Sequence, residues 1–251
     1  MFFEPERTQY DLNFRLLGTD VRIHPWFWLM SAFLGWSQIQ NGFSFLLVWI
    51  VCVFVSILVH EFGHIFMGRV LGSHGHIVLY GMGGLAVGSS EIRSRFGRIA
   101  VSFAGPAAGL LLWVAVYLAL PFALNENSPP LFEGLLLDLY YINLIWSLLN
   151  LLPIWPLDGG RMSREFFEWL LPQKGTSLAL GISFVIAGLL AINALSVHFA
   201  KHALPVLDQI PYVNRMGSLY TALLFGLLAF GSFQMLQFES RRRPWDREDE
   251  F

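Results

Sequence analysis

The chain has a single cysteine, Cys52, in 251 residues. An internal disulfide is therefore impossible, and a cysteine-built metal site is excluded. Cys52 sits in an apolar run and reads as an inert core thiol. Charge is also scarce: Asp, Glu, Lys and Arg make up 14% of the residues, against 55% hydrophobic. Soluble domains carry about a quarter charged residues, so this is the composition of a polytopic membrane protein in a lipid bilayer. With a net charge of −2, no basic stripe and no nucleic-acid motif, nucleic acid is set aside as a partner. The first residues also lack the basic-then-apolar order of a signal peptide, because Glu4, Glu6, Asp11 and Asp20 precede the first apolar run. Insertion is then directed by a transmembrane segment. No internal repeat is visible, whereas a transporter built on inverted halves would show one.

What the chain does have is apolar runs. They fall at about 25–37, 43–71, 99–124, 135–152, 177–197 and 216–238. The expected fold is an α-helical polytopic membrane protein of about six transmembrane helices, one integral-membrane domain over 1–240. Residues 1–24 form a mixed lead-in, a short strand or an interfacial segment. The first run is short for a span of ~20 residues. Between spans two and three, His76–Tyr80 and Leu85–Gly88 flank Gly81-Met82-Gly83-Gly84, which predicts a small membrane-associated β-hairpin or sheet. A polar insert at 153–164 leads into a short amphipathic piece ending at Leu171. The tail 241–251 is too short for a domain and reads as disordered. Six crossings put both termini on one side. Placing that side in the cytoplasm leaves every Lys and Arg inside except Lys201 and Arg215, as the positive-inside rule requires.

Within the second run lies His60-Glu61-Phe62-Gly63-His64. On a helix, positions i and i+4 share a face, so the two imidazoles converge on one point. They are two ligands of a zinc site, with Glu61 beside them to take a proton from water. Two core histidines in a chance pattern are the bland alternative. Ionisable groups in hydrocarbon are costly unless partnered, which favours function. Such a zinc needs a third protein ligand. Asp158 is the one carboxylate between run four and the next helix, in Pro153-Ile-Trp-Pro156-Leu-Asp158-Gly159-Gly160. Its competing role is to cap the helix that begins at Gly159. His74 and His76 read as a solvated turn, His198 and His202 as an interfacial face on the outer side, and His24, before Pro25, as structural. Arg161, Arg164, Glu165 and Glu168 read as a solvated helix face with i,i+3 and i,i+4 pairs.

The chain resembles the site-2 protease family, zinc metalloproteases that cut peptide bonds within the membrane. His-Glu-Phe-Gly-His in span two and Asn150-Leu-Leu-Pro-Ile-Trp-Pro-Leu-Asp-Gly-Gly-Arg161 closing span four carry the likeness. Weaker support comes from Arg15-Leu-Leu-Gly18 through Arg22-Ile-His-Pro25, Leu79-Tyr-Gly-Met-Gly-Gly84 and Ala104-Gly-Pro-Ala-Ala-Gly109. One departure is Gly109, where many members carry Asn. The resemblance implies one catalytic Zn2+ held by His60, His64 and Asp158, with Glu61 as the catalytic carboxylate. It also implies that Asn150 holds substrate or the developing oxyanion, a task for which a carboxamide is a neutral donor. A helix–helix hydrogen bond is the alternative for Asn150. An extended substrate segment can add to the Gly81–Val87 edge, where Gly83 and Gly84 permit close approach. The implied partner is a transmembrane protein substrate, in a plasma membrane of bacterial type. No PDZ-like insertion or nucleotide-sensing domain is seen, so the chain resembles the minimal members, which are regulated by a partner membrane protein. Two rival functions are an intramembrane zinc transporter and an inactive membrane chaperone. The first has no use for Glu61, and the second would have lost a ligand or that Glu.

Overall fold

Phe43–Val70 contains no proline, and it forms one 28-residue helix, α2. At 1.5 Å per residue it is about 42 Å long, more than the ~30 Å of a hydrocarbon core. The computed structural model describes residues 4–81, 83–89, 92–204, 207 and 217–241. Among these, five helices are long and apolar enough to cross a membrane: α2, α3 (Arg95–Ala123), α4 (Pro130–Asn150), α6 (Gly175–Ala200) and α7 (Leu219–Arg241). The run expected as a span over 25–37 instead makes a 10-residue helix, α1 (Pro25–Leu34), and a 3-10 turn, Trp36–Asn41. Gly35 is the C-cap of α1, the N–H still bonded to the Ser31 carbonyl at 3.1 Å before the chain tightens into the 3-10 turn. The polytopic helical architecture therefore stands, with five helices of spanning length and one shorter apolar helix among the described residues. The polar insert leads into α5, Asp158–Leu170. The tail 242–251 and the start of the last run at Met216 lie outside the described residues.

The chain divides into two compact units, Met1–Asn150 and Leu151–Phe251. In the first, the expected hairpin is half of a four-stranded sheet in the order β1-β2-β3-β4. The lead-in supplies β1 (Leu12–Leu16) and β2 (Thr19–Ile23), antiparallel across a tight turn at Leu17 and Gly18. Both turn residues have positive φ, 49° and 73°, the combination that matches the twist of a two-residue hairpin. Arg69, at the end of α2, clamps this turn through Leu17 O at 2.8 Å and Thr19 Oγ1 at 2.7 Å. β2 runs parallel to β3 (His76–Tyr80), which pairs antiparallel with β4 (Gly83–Val87). Ile77, Val78 and Leu79 are wholly buried. Ile77 and Leu79 join Val21, Ile23 and Phe27 in a core against Val53, Ile57, Leu58 and Ile65 of α2. That apolar contact seats the sheet on the helix carrying the His-Glu cluster. β4 is left as an edge strand, with no further strand beyond it among the described residues.

Arg22 of β2 is buried and paired with Glu4 at 2.8 Å and Asp11 at 2.9 Å, while His76 of β3 reaches Glu4 at 3.4 Å. Burial raises the Glu4 pKa, but the hydrogen bonds and charges of His76 and Arg22 outweigh it and hold the carboxyl below its usual range. Asp11 follows the same pattern: burial raises its pKa, and the Thr8 and Arg22 bonds bring it lower. A carboxylate with a depressed folded pKa stabilises above its unfolded pKa and loses that contribution as pH falls through the folded one. The lead-in is therefore expected to stay docked at neutral pH and to loosen in acid, below the ordinary carboxylate range. Hydrogen exchange over residues 4–23, followed from pH 7 downward, checks this. Uniform protection across that window would show that the pairs contribute nothing.

In the second unit, the loop before α5 is pinned by two buried serines. Trp155 N donates to Ser183 Oγ of α6 at 2.7 Å, and Ser232 Oγ of α7 donates to Trp155 O at 3.2 Å. The expected ion pair on α5 is present as Arg164–Glu168, 2.6 Å apart at i,i+4.

Candidate metal centre

The helical register of α2 puts Cys52, Ser56, His60 and His64 on one buried stripe at successive i+4 steps. His60 Nε2 and His64 Nε2 lie 3.2 Å apart. Two nitrogens bound tetrahedrally at 2.0–2.1 Å from one metal sit about 3.3 Å apart, so the pair is spaced for a shared ion. The His64 ring is oriented from its other side. Its Nδ1 is 2.7 Å from Val101 O on α3. An Nδ1–H donated to that carbonyl leaves the Nε2 lone pair facing His60, the arrangement that metal-bound imidazoles use.

Gly105 makes this approach possible. A Cβ there would lie 2.2 Å from His64 Nε2, so any side chain on that turn of α3 would displace the imidazole. Sequence reasoning missed this role. Its only signal was Ala104-Gly-Pro in span three, which carried no link to His64.

Glu61 is buried beside the pair and turns toward the sheet. Gly84 of β4 leaves the space it occupies: a Cβ on Gly84 would fall 2.4 Å from Glu61 Cγ and 2.6 Å from Oε1. Gly84→Ala is therefore expected to push the carboxylate out of position, lowering turnover at least about tenfold while metal content stays at the wild-type level. Metal analysis beside a cleavage assay reads both. Unchanged turnover would mean that Glu61 has no fixed position to lose. Gly83, which opens β4, is overhung by the Trp146 ring of α4, whose Cζ2 would lie 3.6 Å from an added Cβ.

Asn150 is the last residue of α4 and is buried, with Nδ2 donating to Trp146 O at 2.9 Å in its own helix. The interhelical hydrogen bond considered for it is made instead by Asn143, to Ser56 Oγ of α2 at 2.9 Å. At Gly109, Ser147 of α4 packs onto the bare α3 backbone. Asp158 is buried and is the first residue of α5, while the capping position belongs to Leu157. The helix thus starts one residue earlier than the capping alternative required.

The other histidines have structural settings. His24 caps α1, its Nδ1 accepting from Trp26 N at 3.2 Å. His74 and His202 are exposed, and His198 lies in the last turn of α6. Cys52 is buried, with its thiol donating to Leu135 O at 3.5 Å.

His60 and His64 of the first unit offer two buried imidazoles, and Asp158 of the second offers a buried carboxylate. Two histidines and a carboxylate are the ligands of many hydrolytic zinc sites.

Known proteins resemble the chain in sequence and in fold. The family model of peptidase family M50 matches residues 125–190, which include Asn150 and Asp158. The chain is 28% identical over 195 residues to zinc metalloprotease MJ0392 of Methanocaldococcus jannaschii, covering 73% of this chain and 55% of that protein. It is 30% identical over 188 residues to stage IV sporulation protein FB of Bacillus subtilis, covering 70% of this chain and 58% of the other. The chain thus spans little more than half the length of these curated relatives. Among solved structures, the site-2 protease from Methanocaldococcus jannaschii superposes with a TM-score of 0.59 at 25% identity. That match covers 93% of this chain and 97% of the other. Agreement in motif and in fold shows that the chain belongs to the site-2 protease family, peptidase family M50.

Proposed function

We propose that the chain is an intramembrane zinc metalloprotease that hydrolyses peptide bonds of transmembrane substrates, residues 1–240 forming its protease domain. The observation that carries this is the His60–His64 pair, spaced for one ion and aimed by Val101, with Glu61 lodged against an edge strand. His60, His64 and Asp158 hold a single zinc in this reading. When bound, zinc polarises the scissile carbonyl and acidifies water toward a pKa of ~7. Glu61 takes the proton of the attacking water and passes it to the leaving amine. The Asn150 amide keeps one N–H beyond the bond it gives to Trp146 O, and that donor serves the substrate carbonyl or the oxyanion.

A transmembrane helix hides its carbonyls in i→i−4 bonds, so the substrate must unwind before attack. The free edge of β4 offers the unwound segment a strand to pair with, beside Glu61. We place both termini in the cytoplasm, in a plasma membrane of bacterial type. Although α1 is only about 15 Å long, β2 of the lead-in pairs with β3, which follows α2, so α1 and the Trp36–Asn41 turn carry the chain back to the start of α2 and count here as the sixth crossing. A regulatory membrane protein is a further expected partner.

Purified protein in detergent, given a substrate with one transmembrane helix, should cleave it in a chelator-sensitive way. Zinc flux across liposomes without cleavage would point to a transporter, and substrate binding without either to a chaperone.

A further inference from the structure

In the second unit, α6 and α7 pack on each other through small side chains. Ala179, Ser183, Ala187 and Ala194 are buried on α6, and Ala222, Ala229 and Ser232 on α7. Small residues let two helix backbones approach closely in a membrane. Alanine suffices for that at Ala179 and Ala187, one turn either side of Ser183, and at Ala229, three residues before Ser232. A hydroxyl buried among apolar groups is costly unless it is hydrogen-bonded. The two serines therefore serve something other than the helix contact.

What they hold is the backbone of one residue. Trp155 N donates to Ser183 Oγ at 2.7 Å, and the Oγ atoms of Ser183 and Ser232 are 2.6 Å apart. Ser232 Oγ also reaches Trp155 O at 3.2 Å and Leu228 O at 2.9 Å. Each hydroxyl has one proton to give. Both protons find acceptors when Ser183 donates to Ser232 and Ser232 shares its proton between the two carbonyls. The N–H and C=O of Trp155 are thus closed into a ring by two different helices. Asp158 follows three residues later, and the chain between them has no slack. Ile154 is wholly buried, and its carbonyl accepts from Leu157 N at 2.8 Å. The first turn of α5 rests directly on this backbone. A Cβ on Gly159 would fall 2.2 Å from Leu151 O, and one on Gly160 would fall 2.5 Å from Trp155 N. The residue at the cap of α5, Leu157, makes no side-chain cap hydrogen bond, so the loop fixes where the helix begins.

We propose that Ser183 and Ser232 are positioning residues of the metal centre: by fixing the Trp155 backbone they set where the Asp158 carboxylate stands. The proposal rests on the reading in which Asp158 is the third zinc ligand, and deepens it. The serines act through the loop and not on ion or substrate. A ligand is held at a metal as firmly as its support, and loss of such support weakens metal binding by about 10–100-fold.

The full chain in detergent, titrated with zinc against a competing chelator, tests this. Ser183→Ala and Ser232→Ala should each weaken zinc binding at least about tenfold. Because the two hydroxyls work as one ring, the double variant should lose little more than the worse single one. Ser232→Thr keeps a hydroxyl that can bond the preceding turn, and it should bind zinc as the wild type does. With Co2+ as the probe, the visible absorption of the bound ion should shift in the alanine variants and not in Ser232→Thr. Alanine variants whose metal-free form melts at a lower temperature, yet which bind zinc with wild-type affinity, would make the ring purely structural and overturn the proposal. Equal losses in Ser232→Thr and Ser232→Ala would overturn it too. Weakened zinc binding in the alanine variants, beside a wild type that cleaves nothing, would keep the positioning role and reject the protease reading. Cleavage by the wild type with zinc affinity unchanged in both variants would do the reverse.

Discussion

Glu61→Gln should abolish cleavage, by a factor of about 10²–10⁴ or more, while zinc content stays near wild type. The substitution keeps the volume of the side chain that Gly84 accommodates, and it leaves His60, His64 and the Val101 bond untouched. Only the capacity to accept a proton is lost. The outcome separates base from ligand, because a side chain that helped hold the ion would lose metal together with activity. Cleavage by the variant near the wild-type rate would assign the proton transfer elsewhere. Loss of zinc with normal folding would make Glu61 part of the metal shell.

The second large effect is expected at Asp158. A ligand carboxylate supplies an anionic oxygen about 2.0–2.2 Å from zinc, and without it two imidazoles remain. Asp158→Asn keeps size and hydrogen-bonding capacity but removes the charge. Asn serves the first turn of a helix nearly as well, so α5 should fold as before at a cost below about 1 kcal/mol. Zinc occupancy should fall and little activity should remain, while the thermal stability of the metal-free forms matches. Full zinc and wild-type turnover in this variant would show that Asp158 only starts its helix, and the third ligand would have to be sought among other residues.

The spans were legible because apolar runs of that length have one use, and the His60–His64 pairing because helical spacing alone brings i and i+4 together. The first run could not be resolved from composition. Pro25–Leu34 is as apolar as the others, and what ends it is the backbone turn at Gly35. The β1–β2 hairpin was half visible, since its alternation is masked by Arg15 and Arg22. Arg22 is buried only because Glu4 and Asp11, distant in sequence from one another, both reach it. The tasks of Gly105 and Gly84 were not legible at all. Each exists to leave space for a side chain on a different element, and a glycine gives no sign of what fills its space. The same limit applies to Val101, which acts through its carbonyl and could have been almost any residue.

The most direct test of the central claim is cleavage of a single-span substrate by purified chain, with zinc measured on the same sample before chelation, after it and after zinc is restored. The expected result is one zinc per chain, loss of cleavage in step with loss of zinc, and recovery of both on restoration. Cleavage that persists in metal-free protein would contradict the account, as would zinc-loaded protein that never cuts.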